Sequence, residues 1–105
     1  MYIYRRFESL LFITFWQLGE DTDVKKIAAA AAKLTKSGVF PTKGSKIINW
    51  LVTPGGKGVT ISEADSEEAI FRSYVVWEKE VPGMFASYEV HPAVAIDKAV
   101  AITME

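Results

Sequence analysis

The feature that most constrains the fold of this chain is the segment at residues 9–18, SLLFITFWQL, which is apolar at both sets of alternating positions. A strand buried on one face alternates apolar and polar residues, whereas a strand covered on both faces is an almost continuous apolar run. The run is too short to span a bilayer, and no small-residue cleavage site follows it directly, as a signal peptide would require. We therefore predict a central β-strand in a cytoplasmic protein.

Hydrophobic periodicity along the rest of the chain predicts two helices and three more strands. Asp23 can cap a helix whose apolar residues recur at helical spacing up to Gly38. The sequence PGGKG at residues 54–58 joins two strand-like segments into a hairpin. The predicted elements are strands at 9–18, 46–53, 59–62 and 85–91, and helices between Asp23 and Gly38 and between Asp65 and Pro82. This β-α-β-β-α-β order is that of a ferredoxin-like α+β domain, in which both helices cover one face of a four-stranded antiparallel sheet.

The length of 105 residues predicts a single domain at 1–105, with residues 1–8 as an N-terminal extension and residues 93–105 as a tail that favours a short helix. The 12 basic and 13 acidic residues are mixed and form no basic stripe, so we expect no nucleic-acid partner. The chain has no cysteine and one histidine, which excludes disulfides, thiolate metal sites and a multi-histidine metal site within one chain. We expect no metal and no cofactor.

Alternation divides the predicted strands into two different faces. The uniformly apolar face, which we expect under the helices, comprises Leu11, Ile13, Phe15, Ile48, Trp50, Val52, Val59, Ile61, Ala86, Tyr88 and Val90. The mixed face comprises Phe12, Thr14, Trp16, Ile47, Asn49, Leu51, Thr53, Thr60, Ser62, Phe85, Ser87, Glu89 and His91. This mixed face has too many large apolar groups to be left in water and too many polar groups for a dry core. We predict a homodimer in which two mixed faces bury Phe12, Leu51 and Phe85; the alternative is a monomer with scattered apolar surface residues.

Three segments and the element order carry a resemblance to a known superfamily. The segments are the first strand FITFW, the hairpin PGGKG and the helix start DSEEA. On these, residues 10–91 resemble the dimeric α+β barrel superfamily, which includes antibiotic-biosynthesis-type monooxygenases and stress-responsive barrel proteins. The resemblance implies a protein that binds small organic molecules or haem in a pocket between sheet and helices, or that serves no known chemistry. None of the segments is a catalytic motif, so the resemblance transfers no catalytic residue.

Glu89 and His91 are the candidate catalytic residues. They lie two residues apart on the mixed face, at about 7 Å because each strand residue rises about 3.3 Å. A carboxylate beside a histidine orients and tunes a general base near neutral pH. The alternative is a solvated strand end, since His91 directly precedes Pro92.

Trp16 and Asn49 are candidate ligand-binding residues, together with Thr14, Thr60 and Phe12 on the same mixed face. An indole provides a stacking wall and an amide can position a carbonyl or hydroxyl group, which suits an aromatic or polyketide-like ligand. The first hypothesis is a ligand-binding domain with a cavity on the open sheet face, acting as a cofactor-independent monooxygenase or isomerase. The second is a structural or interaction module whose open sheet face is only a homodimer interface. A polar cavity that reaches the histidine would favour the first, and a dry, filled interface the second.

Overall fold

The computed structural model describes residues 10–105, which form one four-stranded antiparallel sheet and three helices. The elements are β1 Leu10–Leu18, α1 Val24–Lys36, β2 Ser45–Val52, β3 Lys57–Ala64, α2 Glu67–Glu80, β4 Phe85–Ala93 and α3 Ile96–Thr103. The predicted β-α-β-β-α-β order is confirmed, and α3 is the short helix expected in the tail. The interpretation of residues 1–8 as an extension lies outside the described residues.

The sheet has the strand order β2-β3-β1-β4, and every neighbouring pair of strands is antiparallel. β1 is therefore a central strand, paired with β3 on one side and with β4 on the other. This central position is the one that the sequence predicted from the apolar composition of the strand. The chain has a ferredoxin-like α+β fold.

Both ends of α1 are set by residues that the sequence singles out. The Asp23 carboxylate accepts a hydrogen bond from the backbone N–H of Lys25 at 2.9 Å, which satisfies one of the free donors of the first turn. Gly38 has a φ of +79°, and its N–H donates to the carbonyl of Thr35 at 3.2 Å. Because a positive φ is costly for a residue with a Cβ, glycine is the favoured residue for ending the helix here.

Two apolar clusters join the helices to the sheet. The first cluster consists of Ala30, Leu34, Phe40, Trp77 and Met84. The second cluster consists of Phe12, Ala64, Ala69 and Ile70. Phe12 is the largest fully buried side chain, with 1% of its surface exposed. Since α2 contributes to both clusters, it anchors the helical layer on the sheet.

The faces of β1 and β3 are the reverse of the predicted ones. Phe12 and Thr14 are 1% and 3% exposed and lie under the helices, whereas Phe15 is 49% exposed on the open face. By register, the helix-facing side chains also include Trp16, Thr60, Ser62 and Phe85. The side chains on the open face include Leu11, Ile13, Val59 and Ile61. The prediction was wrong because both faces of β1 are apolar, so alternation alone does not distinguish them. Phe12 and Phe85 therefore lie in the protomer interior and not at the open face where a partner was expected to bury them.

In β2 the alternation changes phase within the strand. The register shifts between Ile47 and Asn49, where a β-bulge inserts one extra residue. Thr60 is paired with both Trp50 and Thr14, which therefore lie on the same side of the sheet. Trp50 faces the helices as predicted, but it does so together with Thr14, which the predicted register placed on the opposite side.

Candidate functional site

A cavity of about 480 Å³ lies between the sheet and the helices. Its floor is the helix-facing side of the sheet, and its walls come from α1, α2 and the hairpin between β2 and β3. Ala28 and Ala31 of α1 are among the lining residues, and their short side chains leave space that larger residues would fill. The volume falls within the range of about 300–1,000 Å³ that is typical of small-molecule sites.

All three tryptophans of the chain line this cavity. Trp50 and Trp77 pack with Phe40, with ring centroids 5.3 Å apart for Phe40–Trp50, 5.4 Å for Phe40–Trp77 and 5.8 Å for Trp50–Trp77. Trp16 meets Phe85 edge to face at 6.1 Å. Tilted and edge-to-face contacts are the arrangements that the charge distribution of aromatic rings favours. The rings therefore support one another and form much of the apolar lining of the cavity.

Trp16 lies on the cavity floor against Gly58, its partner in the neighbouring strand. A Cβ at Gly58 would overlap the Cζ2, Cε2 and Cη2 atoms of the indole. Glycine inside a strand often marks such a close approach of another group to the backbone. The indole Nε1 donates a hydrogen bond to Thr60 Oγ1 at 2.9 Å. The absent side chain of Gly58 and the hydroxyl of Thr60 together fix the position of the indole.

The polar groups of the cavity are uncharged. They include the Trp16 indole N–H and the hydroxyls of Thr14, Thr60, Ser62, Ser73 and Tyr88. Burial raises the pKa of Tyr88 to about 12, although a hydrogen bond with the Thr14 side chain lowers it in part. The phenol is therefore protonated at physiological pH. Among the described residues that line the cavity, none carries a charge at that pH, so the site suits a neutral molecule.

The sheet separates the predicted site residues into two groups. Those that line the cavity on the helix side are Trp16, Thr14 and Thr60. Phe12 lies beside this group in the second core cluster. Those on the opposite, open face are Asn49, Glu89 and His91. The expected convergence of an indole, an amide and an imidazole on one face is wrong, because β1 presents the indole to the helices.

Glu89 and His91 contact each other on the open face. His91 Nε2 lies 3.4 Å from Glu89 Oε2, and the imidazole meets the Phe15 ring at a centroid distance of 6.0 Å. Both side chains are exposed, and a contact of this length between exposed groups contributes little free energy. Neither residue lines the cavity, so a catalytic role for the pair stays a prediction.

Within residues 10–105, no group of three or more His, Cys, Asp or Glu side chains is arranged to hold a metal ion. No helix of the same range combines the length and apolar character needed to cross a membrane. The expected cytoplasmic location stays a prediction.

Sequence reasoning missed Trp77, Tyr88 and Ser62 as cavity residues. It assigned Trp77 and Tyr88 to a filled core, because their spacing fits an apolar stripe and an apolar sheet face. It assigned Ser62 to the mixed, open face because period-2 alternation along the strand placed it there with Thr60. Gly58 lies inside β3 and not in the predicted turn, and only in that position does a glycine indicate that a neighbouring side chain approaches the backbone.

The fold and the cavity together define a class of protein, a ferredoxin-like α+β domain with a small-molecule-sized cavity between its sheet and its helices. Within this class, residues 10–105 match the family described as a domain of unknown function, DUF3303. The chain belongs to that family. No curated protein matches the chain significantly in sequence.

Solved structures with similar folds come from several bacteria. A protein from Mycobacterium tuberculosis superposes with a TM-score of 0.53 at 16% identity, over 83% of this chain and 94% of that one. A nipsnap family protein with unknown function from Agrobacterium tumefaciens gives a TM-score of 0.51 at 11% identity, over 82% and 86% of the two chains. A dimeric ferredoxin-like protein of unknown function from Thermobifida fusca gives 0.51 at 8% identity, over 84% and 92%. At these identities the likeness establishes the fold alone.

Proposed function

We propose that this protein binds a small, uncharged organic molecule of aromatic or polyketide-like type in the cavity between the sheet and the helices. The observation that carries the proposal is the lining of that cavity, which combines apolar side chains, three tryptophans and neutral hydrogen-bonding groups around about 480 Å³. Small-molecule sites are typically apolar with a few polar groups that fix orientation. This cavity lies on the helix side of the sheet and not on the open face where the sequence led us to expect it.

The lining favours binding over acid–base catalysis by side chains. General acid–base catalysis is most effective when the pKa of the catalytic group lies near the working pH. Tyr88 is the one ionisable side chain among the described lining residues, and burial raises its pKa to about 12. A monooxygenase or isomerase reaction without a cofactor would therefore depend on the reactivity of the ligand itself. The protein would contribute orientation and the exclusion of water.

Binding of acetylnaphthalene tests the proposal, because its flat, neutral ring system matches the cavity and all three tryptophans can report on it. We expect saturable quenching of tryptophan fluorescence by the wild-type protein. Ala28→Phe adds a ring at the cavity lining, in the space that the ligand would occupy. Overpacking of this kind costs about 1–3 kcal/mol, so binding should weaken by about ten-fold or more.

Ala32→Phe is the matched control for this experiment. Ala32 lies on the same helix, is exposed and does not line the cavity. We expect this variant to bind the probe as the wild type does, and thermal melting of both variants establishes that the fold is intact. Equal affinities of the wild type and Ala28→Phe would mean that the probe binds elsewhere.

We also propose that two copies associate through the open face of the sheet, which is compatible with a ligand inside each protomer. Phe15 is 49% exposed at the centre of that face, and Leu11, Ile13, Val59 and Ile61 lie on the same side by register. A contiguous exposed apolar patch commonly marks an interaction surface. The Thermobifida fusca protein with a similar fold is described as dimeric, which supports dimerisation. If no ligand binds, the interface supports the second hypothesis, in which the protein is a structural or interaction module.

Sedimentation at micromolar concentration tests the dimer, and we expect twice the chain mass of 11.7 kDa. Phe15→Glu should give a monomer, because a carboxylate buried at an interface beside the like-charged Glu89, its cross-strand neighbour, costs about 3–5 kcal/mol, which raises Kd more than about 100-fold. Phe71→Glu on α2, where the side chain is 66% exposed, should remain dimeric. A wild-type protein that sediments as a monomer would contradict the proposed interface.

A further inference from the structure

Ser62 stands out among the polar residues of the cavity. It lies in the middle of the sheet, paired with Phe12 of β1 and with Ile47 of β2, and it is 6% exposed. Its hydroxyl makes no hydrogen bond to any residue within 10–105. No fully enclosed polar side-chain atom in that range lacks a partner, so Ser62 Oγ retains access to open space. Because Ser62 lines the cavity, the cavity is the space that its hydroxyl can reach.

The neighbouring hydroxyls of the cavity already have partners in the protein. The Thr60 hydroxyl accepts a hydrogen bond from the Trp16 indole at 2.9 Å. The Thr14 hydroxyl bonds with the Tyr88 phenol, and the Ser73 hydroxyl bonds with the Thr42 hydroxyl at 2.9 Å. Ser62 Oγ differs from these groups, because it has no partner in residues 10–105 and its hydrogen-bonding capacity faces the cavity. A molecule that enters the cavity from outside the chain can supply the partner that the protein does not.

We propose that the ligand carries an uncharged oxygen, a carbonyl or hydroxyl group, that hydrogen-bonds with Ser62 Oγ while its hydrocarbon body lies against Trp16 and Trp50. This inference rests on the proposed function and specifies its ligand class. A serine hydroxyl can donate to a carbonyl or accept from a hydroxyl, which allows both groups. A carboxylate is excluded, because no described lining residue has a positive charge to pair with it and burial of an unpaired anion is strongly unfavourable.

Three probes with one ring system separate the contributions to binding: acetylnaphthalene with a carbonyl oxygen, ethylnaphthalene without a polar atom, and naphthoate with a negative charge. The wild type should bind acetylnaphthalene about three- to ten-fold more tightly than ethylnaphthalene, the range that one neutral hydrogen bond provides. Naphthoate should bind at least about 100-fold more weakly than acetylnaphthalene. Affinities are measured by tryptophan fluorescence and verified by calorimetry.

Ser62→Ala should abolish the preference for acetylnaphthalene and leave the affinity for ethylnaphthalene unchanged. Ser66→Ala is the control, because Ser66 makes no side-chain capping bond at the start of α2 and lies outside the cavity lining. It should retain the preference. If both neutral probes bind the wild type equally, or if Ser62→Ala keeps the preference, the role of Ser62 is overturned and the cavity proposal stands. If neither neutral probe binds, the proposed function fails and the inference fails with it.

Discussion

Replacement of Phe12 by alanine is expected to lower the free energy of unfolding by about 3–5 kcal/mol, the range for truncating a buried aromatic side chain. Phe12 is 1% exposed and packs in a cluster with Ala64, Ala69 and Ile70. Two of these neighbours are alanines, whose short side chains cannot move into the space that the ring leaves. The loss therefore includes both the transfer of the ring from water and the cavity that remains.

Denaturant unfolding followed by circular dichroism measures this loss, with an unchanged m-value showing that the native state remains compact. Phe71→Ala is the matched control, because that phenylalanine is 66% exposed on α2 and its removal should change stability by no more than about 0.5 kcal/mol. A loss at Phe12 no larger than the loss at Phe71 would contradict the helix-facing position of Phe12.

The second large effect is expected at Gly58, where substitution by alanine should cost about 2–6 kcal/mol. The new Cβ would overlap the Trp16 indole, so the ring must move away from the strand. Overpacking of this kind costs about 1–3 kcal/mol. The displaced indole also loses its hydrogen bond to Thr60, and a buried donor without a partner costs about 1–3 kcal/mol more. Because the indole forms part of the cavity floor, binding of acetylnaphthalene should weaken together with stability.

Gly55 provides the control for this substitution. It lies in the same hairpin and does not have a positive φ, and a side chain at this position would meet no heavy atom within 4 Å of its Cβ. Gly55→Ala should therefore leave stability and binding close to those of the wild type. If Gly58→Ala unfolds at the same denaturant concentration as Gly55→Ala, the indole does not lie against Gly58.

The element order could be predicted from the sequence because its signals are local. Asp23 and Gly38 act through the backbone of a single helical turn, and the turn at residues 54–58 joins strands that are adjacent in the sheet. Such features depend on neighbouring residues and not on the position of the rest of the chain. The helices, the hairpin and the short C-terminal helix were therefore correctly located.

The assignment of sheet faces could not be obtained in the same way. Leu11, Phe12, Ile13 and Phe15 are all apolar, so the composition of β1 is compatible with either orientation. In β2 the bulge next to Asn49 changes the phase of the side chains, and bulges of this kind have no reliable sequence signature when no glycine marks them. An error in the face of β1 then placed Trp16 and His91 on the same side.

The remaining error concerns the polar residues of the cavity, which were assigned to the wrong face of the sheet. Thr14 and Thr60 were interpreted as part of an open face because hydroxyl residues alternate with apolar ones there. In the structure the hydroxyls bond to Tyr88 and Trp16 inside the protomer. A strand that lines a cavity with polar groups has the same alternation of polar and apolar residues as a strand with one solvent-exposed face. Three-dimensional positions are needed to distinguish the two cases.

The close approach of Trp16 to Gly58 also constrains how this chain, and any relative with the same two residues, can diverge. The two positions share one volume, so a side chain at position 58 is incompatible with the present position of the Trp16 ring. An evolutionary path that enlarges residue 58 must first reduce residue 16, and the reverse order passes through a destabilised intermediate. Relatives that have lost the indole should therefore tolerate side chains at position 58 freely. In those proteins the floor of the cavity, and with it the range of molecules admitted, would differ from the one described for this chain.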